Sequence, residues 1–327
     1  MHDVDQTALA TCRICATRGD FALFHTREML HGTRQPFDYF ECTGCGCVQI
    51  TDVPVDLSLF YPDDYFSFRN HRSLDHNSVR RFIDPRRVRS RFGRRDFLGA
   101  MAERISRPFA YVDWLQKAGL GPNARVLDIG CGAGKTLLNM ALGGMPAPTG
   151  VDPFINETLR YDCGVTVHKS SLEEFVVGRV SSFDFIMFHS SLEHLTDPLA
   201  ALCLAQQMLS SGGRVLVTVP VADSWAWHHY REHWFALDPP RHIHVFTNQA
   251  MEILSRGAGL AVTDSWSTGN ISQFVGSERY RRDIPTSDRR RDRDLFSRAE
   301  LADYRLRAKD LNREGQGDQT MFILARR

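Results

Sequence analysis

The stretch from Arg125 to Gly134, Arg-Val-Leu-Asp-Ile-Gly-Cys-Gly-Ala-Gly, constrains this chain more than any other. It reads as a short buried strand that ends beside an acidic residue and turns through three alternating glycines into a helix. Glycine tolerates positive φ and lets a ligand come close to the backbone, and a helix N-terminus presents free N–H groups. The spacing is Gly-x-Gly-x-Gly, with Asp128 two residues before the first glycine. A dinucleotide fingerprint is Gly-x-Gly-x-x-Gly, and its third glycine would fall on Lys135. The turn therefore points to a small nucleoside ligand without a pyrophosphate.

Downstream of the turn, strand-like and helix-like segments alternate. Strands are expected at 125–129, 148–152, 165–168, 183–188, 213–219, 260–266 and 319–325. Helices are expected at 134–143, 155–161, 171–177, 197–210 and 248–257. This alternation predicts an α/β fold with a seven-stranded, mostly parallel sheet and helices on both faces. Upstream, residues 97–120 show helical periodicity, with Phe109, Val112 and Leu115 on one side. The arginine-rich run 80–95 reads as a linker or a solvated helix. The connection 267–318 is too long to lack structure and is expected to form helices of its own.

Five of the eight cysteines precede residue 50, as Cys12-x-x-Cys15 and Cys42-x-x-Cys45-x-Cys47. Two such knuckles suit a tetrahedral site in which Cys12, Cys15, Cys42 and Cys45 hold a structural Zn²⁺. An iron–sulfur cluster that recruits Cys47 is the alternative. A module this small buries little apolar surface, so metal binding would supply its folding energy. The expected division is a zinc-ribbon-like domain with an aromatic linker at 1–70, then a larger domain at 71–327 with its helical insertion at about 267–318.

A net charge of +1 gives no electrostatic case for nucleic acid as a partner. No apolar run approaches the ~20 residues of a membrane span, so no membrane partner is expected. Met1–Thr11 lacks the pattern of a secretory leader, and the protein is read as cytoplasmic, with reduced thiols. The sequence does not speak to oligomeric state.

In open α/β sheets ligands lie beyond the carboxyl ends of the strands. Strand one delivers Asp128, Gly130, Cys131, Gly132 and Gly134. Strand two delivers Asp152 and Pro153, where a carboxylate can accept hydrogen bonds from both ribose hydroxyls. Strand three leads to Ser171 and Leu172, an adenine contact. Strand four ends at His189 and Ser190 and continues into Leu192-Glu193-His194.

Val126 to Pro220 resembles the class I S-adenosylmethionine (SAM)-dependent methyltransferases. The matching features are the Asp-x-Gly-x-Gly-x-Gly turn, Asp152 ending strand two, Leu-Glu-His-Leu-x-Asp-Pro at 192–198, and Gly212-Gly213 before strand five. The resemblance implies a Rossmann-like fold and SAM as cofactor. Gly130, Gly132 and Gly134 would line its methionine and ribose side, Asp152 would hold the ribose, Ser171 and Leu172 would flank adenine, and His189 and Ser190 would sit beside the sulfonium. The cysteine knuckles and Tyr61-Pro-Asp-Asp-Tyr65-Phe66 extend the resemblance to bacterial methyltransferases with a zinc-binding N-terminal domain. That group includes sugar C-methyltransferases whose additional C-terminal domain this chain lacks.

The segment 228–247 is the expected substrate wall. The sugar enzymes carry Glu-His where Arg241-His242 stands here, and their His is implicated as the base. His242 is accordingly the leading general base, with His194 and Tyr230 behind it, and a small-molecule acceptor is the expected partner. A loop-anchoring role is an equal alternative for His242. Arg241, Arg279, Arg281 and Arg282 could hold a phosphate or carboxylate on that acceptor, although a solvated helical face is the favoured reading for most of them. Tyr61, Tyr65 and Phe66 could form a lid over the SAM site. Two other readings stay open: a methyltransferase that modifies nucleic acid, and a SAM-binding subunit without catalysis.

Overall fold

The computed structural model describes residues 7–62, 66–68, 78–105 and 109–327. Among them thirteen strands are numbered here in chain order: β1 (Thr7–Thr11), β2 (Arg18–Arg27), β3 (Pro36–Glu41), β4 (Val48–Ile50), β5 (Val126–Ile129), β6 (Thr149–Val151), β7 (Leu159–Arg160), β8 (Thr166–His168), β9 (Phe183–His189), β10 (Leu209–Pro220), β11 (His244–Val245), β12 (Leu260–Ser267) and β13 (Gln319–Arg326). They form two sheets.

The larger sheet runs β12-β13-β10-β9-β5-β6-β8-β7. Its five central strands, from β10 to β8, are parallel, and β7, β13 and β12 pair antiparallel. Side chains alternate across the pleat. Leu127, Ile129, Ile186, Phe188, Val215 and Val217 point to one core, with helices Pro198–Met208 and Asn248–Gly257. Val126, Phe185, Met187 and Leu216 point to the other, with helices Ala110–Lys117 and Lys135–Leu142. Both faces are thus covered, as the alternating pattern predicts.

The sheet holds eight strands rather than seven. The addition is β7, at the sheet edge inside the segment 155–161 that reads as a helix. Gly164, at φ +92°, turns the chain back, and the Tyr161 N–H donates to the Val165 carbonyl at 2.9 Å. The Tyr161 hydroxyl donates to the Ala133 carbonyl at 2.7 Å, anchoring this hairpin to the glycine turn. A local β-turn with a tertiary anchor overrides a helical pattern only seven residues long.

The smaller sheet is antiparallel, in the order β1-β2-β3-β4-β11. Its last strand comes from residues 244–245, almost two hundred residues after β4. Phe21, Phe40, Cys42 and Cys45 share a core with Ala201, Phe246 and Ala250 of the larger layer. Residues 78–105 form a helical hairpin, Ser78–Arg91 and Phe97–Ile105. Its helices cross closely at Gly99, where a Cβ would strike the Arg86 carbonyl oxygen. Between β12 and β13 lie helices Ser272–Arg281, Asp292–Leu295 and Arg298–Arg313. Among the described residues no helix is long and apolar enough to cross a membrane.

Candidate active site

Gly130, Gly132 and Gly134 take φ of +73°, +55° and +78°. A Cβ on Gly130 would run into the Ser191 side chain, and one on Gly132 into the Ser67 carbonyl oxygen. Both the conformation and the close approach require glycine there. The turn is held from above by the Ala133 N–H, which donates to the Ser67 carbonyl at 2.8 Å. It is held from the side by Asp152, whose carboxylate accepts from the N–H groups of Gly132 at 2.8 Å and Phe154 at 2.9 Å. Burial raises the Asp152 pKa, and those donors offset part of the rise. Asp128 is buried beside it with Oδ1 unpartnered. Burial, then the Asp152 charge, pushes the Asp128 carboxyl well above the usual range.

These groups open onto a cavity of about 730 Å³ at the carboxyl ends of the parallel strands. Asp128, Gly130, Cys131, Asp152, Pro153, Ser171, Leu172, His189 and Ser190 all reach it. Gly132 and Gly134 do not line it; they turn the chain beneath it. Ser171 caps the short helix Leu172–Phe175, accepting from the Glu174 N–H at 3.2 Å, which fixes that wall. His189 ends β9 with the Trp114 ring 4.9 Å away, and its Nδ1 is buried without a hydrogen-bond partner. Burial lowers its pKa, so the ring is neutral.

Across the cavity His194 and His242 meet edge to face, with ring centroids 4.7 Å apart. The His242 Nδ1 lies 2.8 Å from the Ala236 carbonyl, which assigns the proton to Nδ1 and leaves Nε2 as a lone pair. That Nε2 stands 4.0 Å from Glu193 Oε1 and 3.9 Å from Asp238 Oδ2. Burial pushes the His242 pKa down, and Asp238 pulls part of it back. His194 is pushed to about 3, by burial first and then by His242. Its Nδ1 lies 2.9 Å from the Arg241 carbonyl and 3.0 Å from the Tyr61 hydroxyl. Tyr61 also stacks on Phe154 at 5.3 Å, so one of the proposed lid residues does border the cavity. Tyr65 lies outside the described residues.

Two expectations need correction. Tyr230 is not among the residues that line the cavity; its hydroxyl donates to Glu278 Oε1 at 3.2 Å. Among the described residues no arginine lines the cavity either. Arg241 is fully buried between Glu28, at 3.0 Å, and Asp238. Arg279 donates to the carbonyls of Pro285, Asp288 and Arg290, Arg281 to Glu278, and Arg282 to the Leu295 carbonyl. The walls are acidic instead. Glu193 is buried with Oε2 unpartnered, and burial pushes it to about 8. Asp318 is pushed to about 7 for the same reason. Gln273 is buried with Oε1 unpartnered. Sequence reasoning left these three without a role. Glu193 stood in the quoted Leu-Glu-His motif, whereas Gln273 and Asp318 come from the insertion and carry no local signal.

The four knuckle cysteines converge. Cys12 and Cys45 Sγ are 3.6 Å apart, Cys15 and Cys42 Sγ 3.5 Å, and all four lie within 4.8 Å of one another. The two knuckles repeat one turn. The Ala16 N–H donates to the Cys12 carbonyl and the Gly46 N–H to the Cys42 carbonyl, with Ala16 at φ +59° and Gly46 at +70°. Cys47 is fully buried outside the quartet, with Sγ 3.8 Å from the Val48 carbonyl.

This small sheet carries the segment that bears His242. The Tyr39 hydroxyl on β3 donates to the His242 carbonyl at 2.7 Å, and the Ile50 N–H donates to the Ile243 carbonyl at 3.2 Å. Glu28, just past β2, accepts from Arg241, and the Thr247 hydroxyl donates to the Cys45 carbonyl.

Residues 94–265, more than half of the chain, match the family described as a methyltransferase domain. Over 112 residues the chain is 34% identical to the ubiquinone biosynthesis O-methyltransferase of Aromatoleum aromaticum, covering 32% of this chain and 47% of that one. Its Xylella fastidiosa counterpart is 30% identical over 115 residues, covering 33% and 46%. The chain thus spans less than half the length of these relatives. A SAM-dependent methyltransferase of Thermotoga maritima aligns with a TM-score of 0.42 at 18% identity, covering 73% of this chain and 99% of that one. With the family match running across both the glycine turn and Asp152, the chain belongs to the class I SAM-dependent methyltransferases.

Proposed function

We propose that this chain methylates a hydroxyl oxygen of a small-molecule acceptor, with SAM as donor and His242 as general base. The observation that carries the reading is the His242 ring. Its proton is tied to the Ala236 carbonyl, which leaves Nε2 unprotonated on a residue that lines the same cavity as the glycine turn. The cavity's polar atoms fit SAM. The unpartnered Asp128 Oδ1 suits an ammonium donor, Asp152 suits ribose hydroxyls, and the glycine turn admits a ligand at backbone distance. When bound, SAM supplies a methyl already activated on a sulfonium. The protein then has to align the acceptor and accept one proton at His242 Nε2. Burial keeps that imidazole neutral, the state a base requires. Oxygen as the methylated atom follows the O-methyltransferases that the chain resembles.

The acid-lined cavity favours an uncharged, hydroxyl-bearing acceptor such as a sugar or natural-product precursor. Among the described residues the walls offer no guanidinium to a diphosphate on a nucleotide-linked sugar. We read the cysteine quartet as a structural zinc site. Its Sγ separations approach the roughly 3.8 Å that tetrahedral Zn–S bonds of ~2.3 Å imply. The reading divides the chain into a zinc-bearing unit at 1–70 and a catalytic unit at 71–327.

Calorimetric titration with SAM and S-adenosylhomocysteine tests the cofactor; absence of binding by both overturns the reading. His242→Ala should lower turnover roughly 10²–10⁴-fold, the usual range for a lost general base, at unchanged S-adenosylhomocysteine affinity. Unchanged turnover would remove His242 from the role.

A further inference from the structure

The helical hairpin 78–105 has a surface that the proposed reaction does not use. On helix Phe97–Ile105, Gly99, Ala102 and Glu103 face the partner helix, and Glu103 accepts from Arg87 at 3.1 Å. The opposite side presents Phe97, Leu98, Met101 and Ile105 to solvent, with Phe97 78% and Ile105 83% exposed. On helix Ser78–Arg91, Val79 and Phe82 are 71% and 53% exposed. Large apolar side chains gathered on the solvent face of helix Phe97–Ile105, with two more exposed on its partner helix, mark an interaction surface.

Charge selects the partner. Residues 78–105 carry nine arginines against three acidic residues, a local net charge of +6 in a chain whose total is +1. Arg80, Arg87 and Arg89 are spent on Asp84, Glu103 and Asp96. Arg94, Arg95 and Arg104 stand exposed beside the apolar face. A second copy of the same surface would bring +6 against +6. A nucleic acid would satisfy the arginines and leave Phe97, Met101 and Ile105 against a polar groove. A bilayer rich in anionic phospholipid satisfies both: apolar side chains enter the headgroup boundary while guanidinium groups meet lipid phosphates.

We infer that the hairpin 78–105 seats the protein on the surface of an anionic phospholipid membrane. This is peripheral docking and needs no membrane-spanning helix. The hairpin packs on helix Lys135–Leu142, with Arg80 donating to Asn139 Oδ1 at 2.9 Å, so the docked hairpin adjoins the element that follows the glycine turn.

Co-sedimentation of the full chain with vesicles of phosphatidylcholine and phosphatidylglycerol, against pure phosphatidylcholine, tests the inference. The expected result is binding to the anionic vesicles alone, weakened in high salt. The double variant Phe97→Asp, Met101→Asp and the double variant Arg94→Glu, Arg95→Glu should each lower the partition coefficient roughly tenfold or more. All four positions are exposed, and circular dichroism with thermal melting verifies the fold. Three results overturn the inference: equal binding to both vesicle types or to neither; unchanged binding by both variants; or light scattering that shows a dimer which Phe97→Asp, Met101→Asp splits. Retardation of RNA or DNA matching the vesicle affinity would reassign the surface to nucleic acid.

Discussion

Glu193 shows how far a residue's chemistry depends on what surrounds it. It stands in the middle of Leu-Glu-His with no role legible there, yet it is 1% exposed, with one oxygen lacking a partner. Its carboxyl is pushed by burial to about 8, against 4.5 when exposed. The folded state therefore holds a proton that the unfolded chain releases between those values, and stability falls as pH rises from about 4.5 to 8. Glu193→Gln keeps the shape and removes the titration. Urea unfolding of the variant should show a shallower decline over that window than the parent. His194 acts with the opposite sign: its pKa is depressed to about 3, so the stability it contributes is full above 6.5 and lost as pH falls toward 3. At this scale the sequence was legible where geometry is local. Asp128, Gly130, Asp152 and Ser171 stand at strand ends that periodicity alone can place. The partners of Tyr230 and Arg241, Glu278 and Glu28, are tens to hundreds of residues away, so no local pattern tells that these side chains turn to them rather than to a ligand.

Among the elements, β11 has the greatest effect for its size. Two residues, His244 and Val245, close the small sheet against β4, and the cysteine turns hold both sides of that pairing. The Gln49 amide on β4 donates to Cys12 Sγ at 2.9 Å, so the metal-site geometry reaches β11 through one strand. If the cysteine quartet holds zinc as proposed, chelation should loosen β4 and β11 together. Hydrogen exchange at the Ile243–Thr247 amides should then rise by an order of magnitude or more, as for a lost cooperative unit. Unchanged protection there, with the metal gone, would show that the larger sheet alone holds the segment. No sequence pattern announces a two-residue strand, and the 155–161 hairpin escaped for the same reason. Long strands such as β9 and β10 were readable because their apolar runs are buried on both faces.

Across the whole molecule, the two sheets are joined by a buried charge cluster. Glu28 and Arg241 are both fully inaccessible, and Glu28 also accepts from the N–H groups of His31 and Thr33 at 2.8 and 3.0 Å. Burial alone would raise the Glu28 pKa, but these donors and Arg241 outweigh it and hold the group ionised. Glu28→Ala leaves Arg241 with Asp238 as its remaining carboxylate and should cost about 3 kcal/mol, the low end for breaking a buried pair. Equilibrium unfolding measures this loss. A companion loss of turnover without loss of S-adenosylhomocysteine affinity would trace the effect to the His242 segment. The parallel architecture was legible in the sequence because it follows from alternating periodicity. The fusion of the cysteine-bearing sheet with the acceptor wall was not, because it depends on contacts some two hundred residues apart.

That separation affects how the chain is made. As residues emerge during synthesis, β1 to β4 can pair at once, but the open edge of β4 must wait for residues 244–245. Until then Val48 and Ile50, both fully buried in the finished molecule, lie along an unpaired strand edge, the feature through which nascent chains stick to one another. Two knuckles that close around a metal as soon as Cys45 is available would give the waiting sheet a rigid frame, well before its last strand arrives.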